Sequence, residues 1–581
     1  MSGASASLLP LAVAAPICGA IAAPLLGRLW TRLTIAVSML ALVVSCALLA
    51  LLAPQVYDGE VLVEHVGNWH PVDGSQLGVT FAADPFGLTF ALLAAAIGAI
   101  LLLLTISELG DLGGKEMGGY ACLFQLLVAA LVASALTADV LDLFVWFEVA
   151  ALASYGLTGF FLERPLALEA AFKTMVLTNM AAFFVFVAVA VVYAGHGALN
   201  YGQVYAAMAE APRTADLVAL GLVVGGFGTK AGLVPFHGWL ADAHTAAPGP
   251  VSALFSGLMV NLGLLGIARF VFDVQAPNRG DVLGLLAVVG GFSALVGAAM
   301  ALAQDDLKRL LAYDTVSQMG VLMVALSVGS PESLTGMTYH MVNHALFKTL
   351  LFVCAGAIVH ATGMTRLSEM GGLARHRPLV TVAFVVGAAA IAGVPPLNGY
   401  VSLGLIHHAL EGDHPVELFV LTLAQALTVA ALARATYLAF FRRRDDDYDR
   451  IERLGAGMLV AFGLLAGACV AFGALPTLVL DHVVRPAAGS LVHGAEYARA
   501  TLADGGRVTP AEATFDYADP RQALVIGGTL LLGLLLARWV VRHSEPSLLT
   551  AVRRAHTGSV NDYASYAMMG VVVSVAVLVL T

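Results

Sequence analysis

The string "TYHMVNHALFKTLLF" carries three exchangeable-proton groups at one spacing: His340, His344 and Lys348 stand at i, i+4 and i+8. On a helix this puts all three on one face, about 6 Å apart along the axis. A row of this kind can hand a proton from group to group. The i, i+4 histidines also have the spacing of metal ligands, but no carboxylate or thiol follows at ligand distance. A proton relay is therefore preferred to a metal site or to a merely satisfied polar core, and no cofactor is expected.

Two more ionisable residues lie deep in apolar runs. Lys230 sits in "GGFGTKAGLVPFHGWLADAH" and Glu148 in "DLFVWFEVAALASYGL". A charge held that deep in a bilayer costs at least roughly 2.5–3.5 kcal/mol on insertion scales, so each needs a partner. Glu148 is assigned to Lys230. The pair reads either as an ion pair that locks two helices or as a titratable switch, in which moving the carboxylate loads or unloads the proton. Lys173, another lysine within an apolar run, is counted with these proton-bearing groups.

The same runs contain helix breakers. Pro235 follows Lys230, and Pro395, Pro396 and Gly399 interrupt "AIAGVPPLNGYVSLGLIHHAL". A break in mid-membrane is tolerated where the freed backbone is buried in protein or lines a wet cavity, and paired breaks mark ion sites in many transporters. Both segments are expected to lose helical hydrogen bonding, around Gly232–Pro235 and Gly393–Pro396.

The elements that must position these groups follow from composition. Of 581 residues, 59% are hydrophobic and 12% charged, and mean hydropathy is +0.87. The chain is expected to be an all-α polytopic membrane protein in the lipid bilayer. Apolar runs of about 20 residues fall near 8–27, 33–53, 85–106, 120–137, 140–162, 170–194, 215–240, 250–272, 281–303, 308–328, 334–360, 379–410, 415–440, 456–479, 522–541 and 562–580. That makes sixteen spans, the first read as retained rather than cleaved. Connections after odd-numbered spans hold seventeen Lys and Arg, those after even-numbered spans six. By the positive-inside rule both termini lie on the outer side of a cytoplasmic membrane. Arg269, Arg434 and Arg538, near span ends, are expected to snorkel to the interface.

The breaks in spans seven and twelve are five spans apart, which suggests two inverted five-helix repeats. The expected organisation is 1–110 (spans one to three), 111–275 (four to eight), 276–441 (nine to thirteen) and 442–581 (fourteen to sixteen, with an external loop at 480–521). The loops at 54–84 and 480–521 are too small for a nucleotide or redox domain. A net charge of −10 and a pI of 5.9 give no basic face for nucleic acid. The five dispersed cysteines read as small core residues, not as a cluster or disulfide framework.

Five strings, in order over roughly residues 80–440, then carry a resemblance: "LFVWFEVAALASYGL", "GTKAGLVPFHGWLADAHTAAPGPVSALFSGL", "DDLKRLLAYDTVSQMG", "HMVNHALFKTLLFVCAGAIVHATG" and "GVPPLNGY". They resemble the antiporter-like, proton-translocating subunits shared by respiratory complex I, membrane-bound hydrogenases and Mrp-type sodium/proton antiporters, with wording nearer the hydrogenase-linked and Mrp branches. The tail "RRAHTGSVNDYASYAMMG" is similar to the end of the longest subunit type. The resemblance implies that Glu148 is the switch glutamate, Lys230 the proton-carrying lysine, and His340, His344 and Lys348 the central relay. It also implies partner membrane subunits and transport of protons, with sodium or another cation as the alternative coupled ion. Two positions depart from the pattern: Asn261 stands where span eight usually has lysine, and Leu403 where span twelve usually has lysine or glutamate. Asn cannot carry a proton at neutral pH. The route is then either redirected through His407 or broken, which leaves a conducting subunit and a non-conducting scaffold as rival functions. An enzyme with its own active site is the least supported class, since no nucleophile–base constellation appears.

Overall fold

The computed structural model describes residues 5–72, 76, 78–275, 279–443, 454–503, 505–517, 519–543 and 556–580. Among these, fifteen helices are long and apolar enough to cross a bilayer. The remaining expected span, the twelfth, is present as two shorter helices, Pro378–Ile391 and Asn398–Leu410. Burial is not uniform, because lipid rather than water surrounds the bundle. Spans eight and ten (Gly249–Val274 and Leu307–Val328) are almost wholly buried, whereas the first two and last two spans show most of their surface outward.

The two helix breaks use the same device. Span seven ends at Ala231, and Gly232 takes the left-handed conformation, φ +74°. The amide of Leu233 then bonds back to the Gly228 carbonyl at 2.9 Å. Span twelve repeats this with Gly393 at φ +76° and the Val394 amide on the Ala389 carbonyl at 3.0 Å. Each is a Schellman-type stop, which satisfies carbonyls the ended helix would otherwise orphan. The prolines that follow, Pro235 and Pro395–Pro396, have no amide to resume the ladder. A short helix, Leu240–Ala246, leads from the first break into span eight. The breaks expected from Gly and Pro are thus observed at both positions.

The loops are more ordered than their composition announces. Within the expected external loop 480–521 lie helices Arg485–Val492 and Gly494–Ala500 and a short strand, β3 (Gly506–Arg507). With β1 (Glu60–His65) and β2 (Thr80–Ala83), β3 completes an antiparallel sheet in the order β2-β1-β3. The loop is fixed below the sheet as well: Thr501 Oγ1 donates to Asn200 Oδ1 at 3.0 Å.

Arg269 corrects the snorkelling expectation. Its guanidinium is fully buried, 2.5 Å from Asp84 and 2.8 Å from Asp273, under the Tyr497 ring at 4.4 Å. Asp84 caps span three directly after β2. A planar donor fork between two carboxylates is more stable there than stretched toward the interface. Arg434 is also drawn inward, onto the Gln304 carbonyl at 2.6 Å, and only Arg538 remains exposed. The loop arginines at 444, 450, 453, 553 and 554 lie outside the described residues.

Candidate functional site: a buried polar axis

Lys230 is completely buried at the C-terminal end of span seven. Its ammonium has no hydrogen-bond partner and stands 5.1 Å from the Phe147 ring centroid. Glu148, the next residue, is half-buried. Each acts electrostatically on the other, but they form no contact ion pair. The carboxylate expected to pair with Lys230 is thus out of contact with it, and an aromatic ring lies beside the amine instead. The break itself is tied down by Trp239, whose indole donates to the Thr229 carbonyl at 2.8 Å.

Span eight joins this group to the next. Gly263 lies against Ala231 and Phe227 of span seven, and Gly257 lies against Thr349 of span eleven. Both are approaches that any Cβ would block. Between them Asn261 is buried and donates to the Gly257 carbonyl at 2.8 Å, leaving its own oxygen unpartnered. A π-helical turn at Phe255–Met259 opens the ladder just before it.

On span eleven (Pro331–Thr362) the three relay candidates are all fully buried. Lys348 makes a contact ion pair with Asp314 of span ten, and its ammonium also donates to the Leu311 carbonyl at 3.0 Å. His344 has no partner at either nitrogen. His340 is held on both sides, 2.9 Å from Gln318 Oε1 and 3.0 Å from Ser402 Oγ. Asn343 reaches the second break: its amide donates to the Asn398 carbonyl at 2.9 Å, and Asn398 returns a 2.9 Å bond to Asn343 Oδ1.

Leu403 is buried and apolar, its methyl near Gly393. His407, one turn on, is buried with Nδ1 unpartnered and close enough to His340 to act on it electrostatically. The following residue, His408, pairs with Glu332 at 2.7 Å beside a surface cleft of about 600 Å³. Lys173 lies apart from this line. It bonds Glu169 at 2.7 Å and Asp242 at 3.0 Å, in a cleft of about 570 Å³ at the opposite end of the bundle from the sheet.

Residues 137–428 match the family described as NADH:quinone oxidoreductase/Mrp antiporter, TM. NADH-quinone oxidoreductase subunit N of Desulforudis audaxviator is 32% identical over 498 residues, covering 82% of this chain and 97% of that protein. The chain belongs to the complex I/Mrp antiporter membrane family. Two solved structures carry the same fold. One, the membrane-bound sulfane sulfur reductase, an archaeal respiratory complex, holds a chain at TM-score 0.78 and 26% identity, covering 84% of this chain and 99% of that one. The other, the Mrp complex of Dietzia sp. DQ12-45-1b, holds one at TM-score 0.77 and 25% identity, covering 86% and 99%.

Within this member of the family, several polar residues of the axis escaped the sequence reading. Asp314 and Gln318 stand at i, i+4 and are buried in span ten. Asp314 had the same signal as Glu148, a lone carboxylate inside an apolar run. Ser402, Asn343 and Asn398 are uncharged, and neither composition nor periodicity separates them from packing residues. Lys308, counted among loop charges, is buried, donates to the Ala247 carbonyl at 3.0 Å and acts electrostatically on Glu108 of span three.

Proposed function

We propose that this chain is a proton-conducting subunit of a multisubunit membrane assembly, moving protons along the axis Glu148, Lys230, Asn261, Lys348, His344, His340 and His407. The observation that carries this reading is the retention of two fully buried lysines, Lys230 and Lys348, on successive parts of one polar line. A scaffold would gain stability by losing them. Lys230, with no hydrogen-bond partner among the described residues, is charged when water reaches it and surrenders its proton when water leaves. The half-buried Glu148 is placed to bias that step from outside the bundle. Asn261 contributes an amide that orients water, not a proton site.

At Leu403 the route passes instead through His340 and His407 to the Glu332–His408 cleft. The alternation of Lys and Arg puts that cleft and both termini on the outer side, and the Lys173–Asp242 cleft in the cytoplasm. The matching Schellman stops in spans seven and twelve support two inverted repeats, spans four to eight and nine to thirteen. Proton is the coupled ion, with sodium or another cation the competing one.

The test is ion flux in vesicles containing the whole assembly. Lys230→Ala and Lys348→Ala each abolish proton movement. Wild-type flux unchanged by both means that protons do not cross this chain.

A further inference from the structure

The last span, Val560–Leu580, packs on the helix-seven break so closely that a Cβ on Gly238 would overlap the Tyr563 ring and one on Gly570 would meet Pro235 at 2.6 Å. Just ahead of this span, His556 enters the cluster below the break with a side chain 9% exposed. Its Nδ1 faces two hydroxyls, Tyr313 at 2.5 Å and Tyr563 at 2.7 Å. Its Nε2 touches the Arg309 guanidinium and lies 3.8 Å from Asp242 Oδ1.

Among the described residues, the groups facing His556 are Arg309 and Tyr313 from span ten, Asp242 and His237 from the break and short helix, and Tyr563 from the last span. Behind Asp242 come Lys173 and Glu169 of span six, then the surface cleft. His237 Nδ1 is buried without a partner, and its ring lies 6.3 Å from Tyr313.

We propose that His556 passes protons between the Lys173–Asp242 cleft and the interior at the helix-seven break, so that the C-terminal segment supplies a relay residue and Arg309 acts as its gate. The proposal rests on the conducting function above. A guanidinium has donors only, so its contact with Nε2 requires a lone pair there. In the resting arrangement Arg309 donates to Nε2, and Nδ1–H donates to a tyrosine oxygen. A proton arriving from the cleft bonds to Nε2, which ends the Arg309 hydrogen bond because two donors now face each other. The new Nε2–H turns to Asp242 Oδ1, while Arg309 keeps its own 2.9 Å bond to Asp242. The Nδ1 proton then moves to the Tyr313 oxygen as the hydroxyl proton leaves, through a water, toward His237. One proton enters at Nε2 and one leaves at Nδ1. Asp242 is the acceptor and not the carrier: burial pushes its carboxyl up, but the His556 hydrogen bond and the Arg309 charge outweigh this and hold it at about 2.

The experiment uses the whole assembly in vesicles, with proton flux measured over about pH 5–9, the range in which histidine changes charge. His556→Gln keeps polar groups at the site but cannot take the second proton. Flux is expected to fall about tenfold or more and to lose its inflection in the histidine range, with the assembly still purifying intact. Unchanged flux and an unchanged profile overturn the proposal, as does a uniform loss that keeps the inflection. Should His556→Gln fail to assemble, the Tyr313→Phe/Tyr563→Phe pair removes both Nδ1 partners and keeps the rings. A reduced flux with a shifted profile then supports the relay, and wild-type behaviour overturns it. Flux insensitive to Lys230→Ala and Lys348→Ala would instead remove the underlying function.

Discussion

Lys230 and Lys348 are equally buried, yet their surroundings differ. The ammonium of Lys348 touches the Asp314 carboxylate and a carbonyl, whereas that of Lys230 has an aromatic ring beside it and its carboxylate, Glu148, out of contact and half-exposed. A proton leaving Lys348 must first break a desolvated ion pair. One leaving Lys230 waits only for water or for a change at Glu148. The first half of the axis is therefore built to respond to an outside charge, and the second half to hold a proton until a neighbour takes it.

The largest expected effect separates the two carboxylates. Asp314→Ala strands a buried ammonium, and losing one member of such a pair costs about 3–5 kcal/mol. Thermal unfolding of the purified assembly should show this as a marked loss. Glu148→Gln breaks no contact ion pair and keeps the side chain's size, so it should leave stability within about 1 kcal/mol, while still stopping flux. Equal destabilisation by the two would erase the distinction.

A double substitution sharpens it. Lys348→Met alone leaves the Asp314 carboxylate uncompensated, so Lys348→Met/Asp314→Leu should unfold at a higher temperature than either single change. It should conduct no protons. Lys230→Met, which strands no contacting charge, should be neutral or stabilising, and a large destabilisation would reveal a partner in contact with Lys230.

Smaller effects are expected where the axis meets the surface. His407→Ala should lower flux, whereas Leu403→Lys should leave flux intact or raise it. Flux unaffected by His407→Ala would place the outlet elsewhere. A last effect changes only in acid. Asp242 is held below the ordinary carboxylate value, so the stability it adds is fully present above about pH 4. That stability is lost as pH falls through about 2. The difference in unfolding temperature between wild type and Asp242→Asn should therefore vanish at the acid end.

The sequence made the helices legible because lipid demands long apolar runs, and it made the breaks legible because Gly232 and Gly393 stand two or three residues before prolines, which cannot resume a helix. The row on span eleven was readable from spacing alone. Pairings between distant segments were not. Arg269 lies near a span end, and nothing in its neighbourhood announces Asp84, some 185 residues earlier. Asp314 was passed over within a matched string, and His556 carries no signal of the pocket it fills. Periodicity reports which face of a helix is buried, not which charge waits on the facing one.

The sheet at the loop end has a consequence in time. Strand β1 is made early, but its β3 neighbour comes roughly 440 residues later, a delay on the order of 20–90 s at about 5–20 residues per second of synthesis. Until then one edge of β1 has its backbone groups open, and the Asp84–Arg269–Asp273 cluster lacks the Tyr497 ring that covers it. Closure of this end is thus among the last events of biogenesis. A newly made chain can be probed for it by protease: cleavage near Glu60–His65 should be fast in arrested intermediates shorter than Gly506 and slow once Arg507 has paired.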